Sequence, residues 1–405
     1  VFSLTGNKLY NPYWGVFDGR QRSSRMQRST TPTLFATYRW SGWDVNWRLS
    51  ALAMGGERSR SGLQWINAMN PTPDYYTYLP SYQHNPTDIA AAEELWHSAS
   101  PRYTQIGWDE FWFQNMLSPD GSAVYLVERA VERPRAFVVG VDGEKVVNSR
   151  VSFNVRGELR SESSRYFKQV EDLLGASWTD NRDGFLIDDT AYGNRTENDL
   201  RNPNAAVKDN GRFGYDYRIN MLGAKLWAQN EWSWNEVDFY YALQLTYSSM
   251  QRTTDMLNGR AWYLARLGAQ NNYHYYYLAD AADDVLAAGS DFSKLPTRLV
   301  GYDHHFVDPA FKLGATYKIN GRNHLKINAL AETKAPLARD AYISPRVHDR
   351  AVENIYRHDY ARYYAQANGT SWLSEYYGAS QKIVGGDLTY SFNYPLVRGR
   401  VTGFF

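Results

Sequence analysis

Residues 311–331 read FKLGATYKINGRNHLKINALA, and the fold class turns on how that string alternates. Phe311, Leu313, Ala315, Tyr317 and Ile319 fall on one face of an extended chain, with Lys312, Gly314, Thr316, Lys318 and Asn320 on the other. Beyond Asn320-Gly321 the pattern resumes, with Leu325, Ile327, Ala329 and Ala331 set against His324, Lys326 and Asn328. A period of two places side chains on opposite faces of a strand. Asn-Gly is the dipeptide that supplies the positive φ angles of a tight hairpin turn. Each arm is about as long as the 9–11 residues a tilted strand needs to cross a bilayer. The stretch is therefore a hairpin with an apolar and a polar face.

Four more hairpins of this kind follow from the same reading. Leu34, Ala36, Tyr38 and Trp40 turn at Ser41-Gly42 into Val45, Trp47, Leu49, Ala51 and Ala53. Phe137, Val139 and Val141 turn around Asp142-Gly143 into Val147, Val151, Phe153 and Val155. Tyr215, Tyr217 and Ile219 lead to Leu226 and Trp227 through a register change near Met221–Gly223, which predicts a bulge. That strand turns near Asn230 and returns as Val237, Phe239, Tyr241, Leu243, Leu245 and Tyr247. Val384, Gly386, Leu388, Tyr390, Phe392 and Tyr394 turn at Pro395–Gly399 into a last strand at Val401–Phe405.

Residues 1–31 form a polar connection, and long polar segments fill 57–134, 158–212, 251–308 and 332–383. The first long segment carries a helix over Ala90–Leu95 with Thr87 as its cap, and the third a helical run at Ala281–Ala288. About ten strands thus alternate between five tight turns and four long connections.

Composition narrows the choice. The 405 residues carry 44 basic and 43 acidic side chains, a net charge of +1, so nothing favours a nucleic-acid partner. With 32 Tyr and 14 Trp, a mean hydropathy of −0.58 is unusual for a soluble enzyme. It suits a surface with an apolar band edged by amphipathic rings. No apolar run reaches the roughly 18 residues of a membrane helix, but a barrel crosses with strands. The absence of cysteine excludes disulfide-stapled folds and Cys-ligated metal sites.

Periodicity alone fits a soluble β-sandwich equally well. Two features favour an outer-membrane barrel: the rhythm of short turns and long loops, and rings beside the short turns at Trp40, Trp43, Trp227, Trp232, Trp234, Tyr317 and Tyr394. So many strands with such loops suit an arc of a large barrel, and the chain reads as an internal stretch of a longer protein.

In its loop segments the chain resembles the TonB-dependent receptors of the Gram-negative outer membrane, in the form common in the Bacteroidetes. The resemblance rests on Asn11-Pro12-Tyr13-Trp14-Gly15, Pro71–Tyr82, Gln105–Phe111, Tyr166–Gly175, Asn198–Asn204, Lys312–Arg322 and Tyr342–Arg346, in consistent order. It implies an all-β transmembrane antiparallel barrel of 22 strands, with residues 1–405 as part of its wall. It further implies a plug domain outside this sequence and a TonB partner reached through that plug. The expected activity is energy-coupled import of a small-molecule, glycan or peptide nutrient, among outer-membrane lipids. Rival readings are a structural subunit docking surface lipoproteins or other outer-membrane subunits, a passive porin, and a soluble carbohydrate-binding protein.

Candidate site residues follow. Tyr75, Tyr76, Tyr78 and Tyr82, with Trp65 and Trp96, make an aromatic loop able to stack a ligand; mutual ring packing is the plainer alternative. Lys312, Lys318 and Lys326 sit on the polar strand face as lining of a wet lumen. Asp180, Asp183, Asp188 and Asp189 make an oxygen-rich loop that could hold calcium, though without the spacing of an EF-hand. His304-His305 beside Asp303 and Asp308 matches no ligand spacing and reads as a solvated loop. No catalytic constellation stands out, so no enzymatic activity is expected.

Overall fold

The computed structural model describes residues 2–66, 68–98, 100–184, 196–256, 299–338 and 380–405. In chain order it begins with α1 (Phe2–Thr5), β1 (Trp14–Phe17), β2 (Arg20–Ser23), β3 (Gln27–Thr30), β4 (Thr33–Gly42), β5 (Val45–Gly55) and β6 (Glu57–Trp65). Helices α2 (Pro86–His97), α3 (Pro101–Thr104) and α4 (Trp108–Met116) precede the long strands β7 (Tyr125–Asn148) and β8 (Val151–Asp172). Short strands β9 (Thr179–Asp180) and β10 (Ala206–Val207) come next, then β11 (Arg212–Ser233), β12 (Val237–Thr254) and β13 (Leu299–Asn320). The last three are β14 (Asn323–Lys334), β15 (Gln381–Asn393) and β16 (Arg398–Phe404).

One antiparallel sheet organises the chain, in the order β16-β15-β14-β13-β12-β11-β8-β7-β5-β4. Along this path lie the ten strands expected from the alternation. β6 also pairs with β7 and β3 with β6, so they continue β5 and β4 beyond short breaks. Pro32, which lacks an N–H, interrupts one line. Gly56, at φ 146°, interrupts the other, where a Cβ would strike the Thr30 carbonyl.

Cross-strand register defines two faces, because residues directly opposite share a side. One lateral row runs Trp40, Trp47, Gly143, Val155, Ala228, Leu243, Phe311, Ala331 and Val384, nine strands whose only polar side-chain groups are two indole N–H groups. The next row, Tyr38, Leu49, Val141, Gly157, Leu226, Leu245 and Pro309, has a tyrosine hydroxyl as its one polar side-chain group. These side chains are exposed: Leu226 is 66%, Leu243 53% and Val384 74% accessible. One residue over, on the opposite face, the row reads Arg39, Arg48, Asp142, Arg156, Trp227, Gln244, Ala310, Glu332 and Ile383.

The segments at the end away from the short turns fold into a cap. One apolar cluster joins Ala123, Leu126, Val170, Leu173, Val207 and Phe213. Another joins Ile106, Trp108, Phe111, Val127 and Leu174. Asn115, 2% exposed, ties them together. Its amide donates to the carbonyls of Tyr125 (2.7 Å), Leu173 (2.9 Å) and Leu174 (3.1 Å). Its oxygen accepts from the Val124 and Tyr125 N–H groups at 2.8 and 3.0 Å. The Trp108 indole donates to the Arg22 carbonyl at 3.1 Å, and the Arg22 guanidinium lies over the same ring.

Several expectations are corrected. The first turn is Trp43-Asp44, both in the left-handed region, rather than Ser41-Gly42. Asp142-Gly143 lies inside β7, and that chain turns at Ser149-Arg150 instead. Gly143 is glycine because Trp47 crosses it: a Cβ there would lie 2.8 Å from the indole. The strand expected to turn near Asn230 runs on to Ser233. Register is continuous through Met221–Gly223, and the irregularity falls between Phe213 and Asp216. The apparent switch arises because Ile219 and Met221 pack against Met250 and Phe306 on the otherwise polar face.

The Asn320-Gly321 turn has no positive φ at either residue. The Asn320 side-chain oxygen instead accepts from the Arg322 and Asn323 N–H groups, both at 2.9 Å. Residues 57–65, 125–134, 158–172, 251–254, 299–308 and 332–334 are strand, not loop, so His304, His305 and Asp308 lie in β13 rather than in a solvated loop, and 1–31 contain β1 to β3. α2 is capped by Asn85, whose side chain accepts from the Asp88 N–H at 2.8 Å, and Thr87 lies within the first turn. Trp227 points to the charged face and leaves the ring belt. The expected helix at Ala281–Ala288 and the Tyr342–Arg346 motif lie outside the described residues.

Candidate functional site

Two places bring chemistry-bearing side chains together. The first is the tyrosine loop, where two single turns (Tyr76–Tyr78 and Pro80–Tyr82) follow each other closely. Ring centroids lie 4.6 Å apart for Tyr75 and Tyr76, 5.5 Å for Tyr75 and Tyr78, and 5.0 Å for Tyr76 and Tyr82. All three pairs meet edge to face, an attractive geometry for aromatic quadrupoles. The Tyr78 hydroxyl donates to the Asn70 carbonyl at 2.9 Å, and burial pushes its pKa up. Tyr76 and Tyr82 remain exposed.

The two tryptophans behave differently. Trp96 is 4% exposed, because it packs edge-on against Tyr10 with centroids 5.7 Å apart. It is buried and has no free face for a ligand. Burial and then Asp74 raise the pKa of Tyr10, so this contact stays neutral. Trp65 ends β6 opposite Tyr125 and keeps an accessible edge.

The second place is the charged face of the sheet, which is concave. A hollow of about 930 Å³ is lined by residues from β4, β5, β7, β8, β11 and β12. Its floor is a ladder of ions. Arg48 Nε lies 3.3 Å from Asp142 Oδ2, Arg156 Nε 3.7 Å from Asp142 Oδ1, and Arg156 Nη2 3.0 Å from Glu158 Oε2. Arg160 pairs with Glu162 one step further. Trp227 is the aromatic platform among these charges. A second hollow of about 520 Å³ adjoins the first, with Glu158, Lys225 and Gln244 common to both.

The three sequence-predicted lysines lie on this same face, on β13 and β14. Lys318 Nζ binds Asp238 Oδ1 at 2.7 Å. Lys312 stands opposite Ala242 and Leu330, and Lys326 opposite Thr316 and Thr389. The Arg48–Asp142–Arg156–Glu158 ladder is not among the sequence-predicted site residues, and Trp227, expected in the ring belt, stands beside it instead. Strand parity, carried through Asp142 rather than turned there, would have found them.

Asp180 pairs with Arg182 (2.8 Å), while Asp188 and Asp189 lie outside the described residues. Among the described residues no group of three potential ligands could hold a metal ion. His305 meets the Tyr247 hydroxyl at 2.9 Å, and His304 stacks on Phe306.

The fold and its faces define an all-β chain built on one long antiparallel sheet, apolar on one side and charged on the other. No protein-family model matches the chain, and no curated protein matches it. Among solved structures, the ferric citrate transporter FecA in its unliganded form is similar with a TM-score of 0.44 and 7% identity. It is matched over 94% of this chain and 35% of its own. The ferric-catecholate import receptor Fiu from E. coli K12 is similar in its closed form (TM-score 0.40, 8% identity, 92% of this chain, 39% of its own). Its open form gives 0.38 and 8%, over 94% of this chain and 47% of its own. The chain therefore spans less than half the length of each.

Proposed function

We propose that this chain is part of the wall of an outer-membrane β-barrel that imports a nutrient by TonB-dependent transport. The observation that carries the membrane reading is the continuous apolar row across nine strands, exposed on one face, backed by a concave ion ladder on the other. An exposed apolar band of this extent is costly in water and favourable in hydrocarbon. Its height matches, since Leu222 to Trp232 on β11 covers about the 9–11 residues of a tilted crossing. Phe239, Tyr241 and Trp232 pack as a ring cluster beside the short turn, where an interfacial belt is expected.

TonB coupling rests on the sequence resemblance. Several of the motifs that carry it, among them those around Gly15, Trp108, Leu174 and Leu200, lie in the cap. Trp108, Leu174 and Leu200 are each fully buried, and Gly15 packs against Ile106 so closely that no Cβ fits. They support a shared architecture and leave ligand choice to other residues, with the Tyr75, Tyr76, Tyr78 and Tyr82 loop as the candidate outer contact.

The test is uptake in cells carrying the full-length protein. Import should stop when TonB is deleted, with the protein still fractionating in the outer membrane. Uptake indifferent to TonB would favour a passive pore. A second reading, a structural subunit, is favoured by Phe113, Met116 and Leu117, three apolar side chains exposed around the end of α4. Stoichiometric co-purification of a surface lipoprotein or another outer-membrane subunit, lost in Phe113→Ser, would favour it.

A further inference from the structure

The upper of the two inner hollows contains a group that neither the ion ladder nor the fold accounts for. Asp308 is 3% exposed on β13, opposite Thr246 of β12 and on the charged face. Its Oδ1 is buried and has no hydrogen-bond partner. A carboxylate in such a place is strongly disfavoured unless a donor or a cation meets it. Four other acids of the face have ion-pair partners: Asp142 has Arg48 and Arg156, Glu158 has Arg156, Glu162 has Arg160, and Asp238 has Lys318.

The walls around Asp308 differ from those of the lower hollow. Met221 and Met250 line one side, and Ala335-Pro336-Leu337-Ala338 fold back from the end of β14 to line the other. Ala335 and Ala338 pack on the Met250 and Phe306 cluster, so the strap sits inside the concave face. The result is a cavity of about 520 Å³ in which apolar walls meet the buried Asp308 oxygen, with Glu158, Arg160, Glu162, Lys225, Glu332 and Lys334 as its other charged lining. This size lies within the usual range for small-molecule sites, whose chemistry is apolar wall joined by a few placed polar groups.

We infer that the hollow between β11, β12, β13 and the 335–338 strap is a binding site for a small molecule with an apolar body and a protonated amine, the amine meeting Asp308. The methionines suit such a ligand, since flexible thioethers adapt to apolar shapes. The site lies on the inner face, so its role as a station for cargo rests on the import reading. Binding itself does not.

The experiment uses the full-length protein in lipid nanodiscs, with empty nanodiscs subtracted, titrated with 2-phenylethylamine. Saturable binding is expected. Asp308→Asn should weaken it at least tenfold, and Ala338→Trp, which fills the hollow and leaves Asp308 intact, should abolish it. Phenylacetate, the charge-reversed probe, should not bind. Heat-modifiable mobility on gels checks that each variant is folded. Absence of saturable amine binding to folded wild type overturns the inference, as does binding undiminished in Asp308→Asn. Either result leaves the import reading intact, whereas a protein that stays in solution without lipid removes that reading and not the cavity.

Discussion

Leu243 and Gln244 are neighbours in sequence, yet they belong to different worlds. The row through Leu243 meets only apolar or tryptophan side chains and a glycine on eight other strands, and the row through Gln244 runs into Arg48, Asp142, Arg156 and Glu332. A soluble sandwich would bury the first row under a second sheet. Here no second sheet covers it among the described residues, and its Leu243 and Val384 are more than half exposed. The apolar row is therefore not a core in search of a partner sheet. Its solvent is expected to be lipid, and water that of the ladder.

The comparison breaks most easily on the apolar row. Leu226→Arg should destabilise the lipid-inserted protein by about 2–4 kcal/mol, as for cations near the midplane of a barrel. Lys225→Met, one residue away on the wet face, should change stability by less than about 0.5 kcal/mol. Urea unfolding in phospholipid vesicles measures both, and equal effects would erase the distinction between the faces.

The cap sharpens the contrast, because it is stabilised as a soluble domain is, by a dry core and satisfied polar groups. Asn115→Ala removes five hydrogen bonds at a buried position and should cost about 2–3 kcal/mol, within the range for leaving buried backbone groups unpaired. Limited proteolysis should then cut within residues 100–124 while the sheet keeps its heat-modifiable mobility. Simultaneous loss of both would make cap and sheet one cooperative unit.

Gly143→Ala tests the apolar row at its tightest point. Pushing a methyl into the Trp47 ring should cost about 1–2 kcal/mol, and Trp47→Leu in the same background should recover most of it. Asn320→Ala is the mildest change. It removes the side-chain acceptor of the β13–β14 turn and should cost about 0.5–1 kcal/mol, seen as a small shift of the unfolding midpoint.

How far the fold can be read from the chain depends on what covers each strand. Alternation identifies β13 and β14 because one face is bare carbon and the other Lys, Asn and Thr. It fails for β6 because Glu57–Ser61 are polar on both faces, and for the start of β7 because the cap encloses both. Leu126 and Val127 are consecutive and both buried, and Lys168 is inside with Glu128 as its partner. A strand covered on both sides has no period to read.

Asp142-Gly143 misleads for a different reason. The same dipeptide that permits a turn also permits a tryptophan to cross a strand, and only the position of Trp47 decides between them. The tyrosine loop is readable as a cluster, but the burial of Trp96 is not, since the Tyr10 that covers it lies far away in sequence. Asp308 is invisible as a site, because its isolation depends on the strap at 335–338 folding inward.

The most direct test uses the fact that the chain has no cysteine. Single cysteines at positions 224–228 and 242–246, spin-labelled in the reconstituted full-length protein, can be probed with lipid-soluble oxygen and a water-soluble nickel chelate. The account predicts a strict two-residue period: labels at 226, 228, 243 and 245 relaxed by oxygen and shielded from nickel, and labels at 225, 227, 244 and 246 the reverse. Nickel access at both sets alike, or a protein that never leaves the aqueous phase, would contradict it.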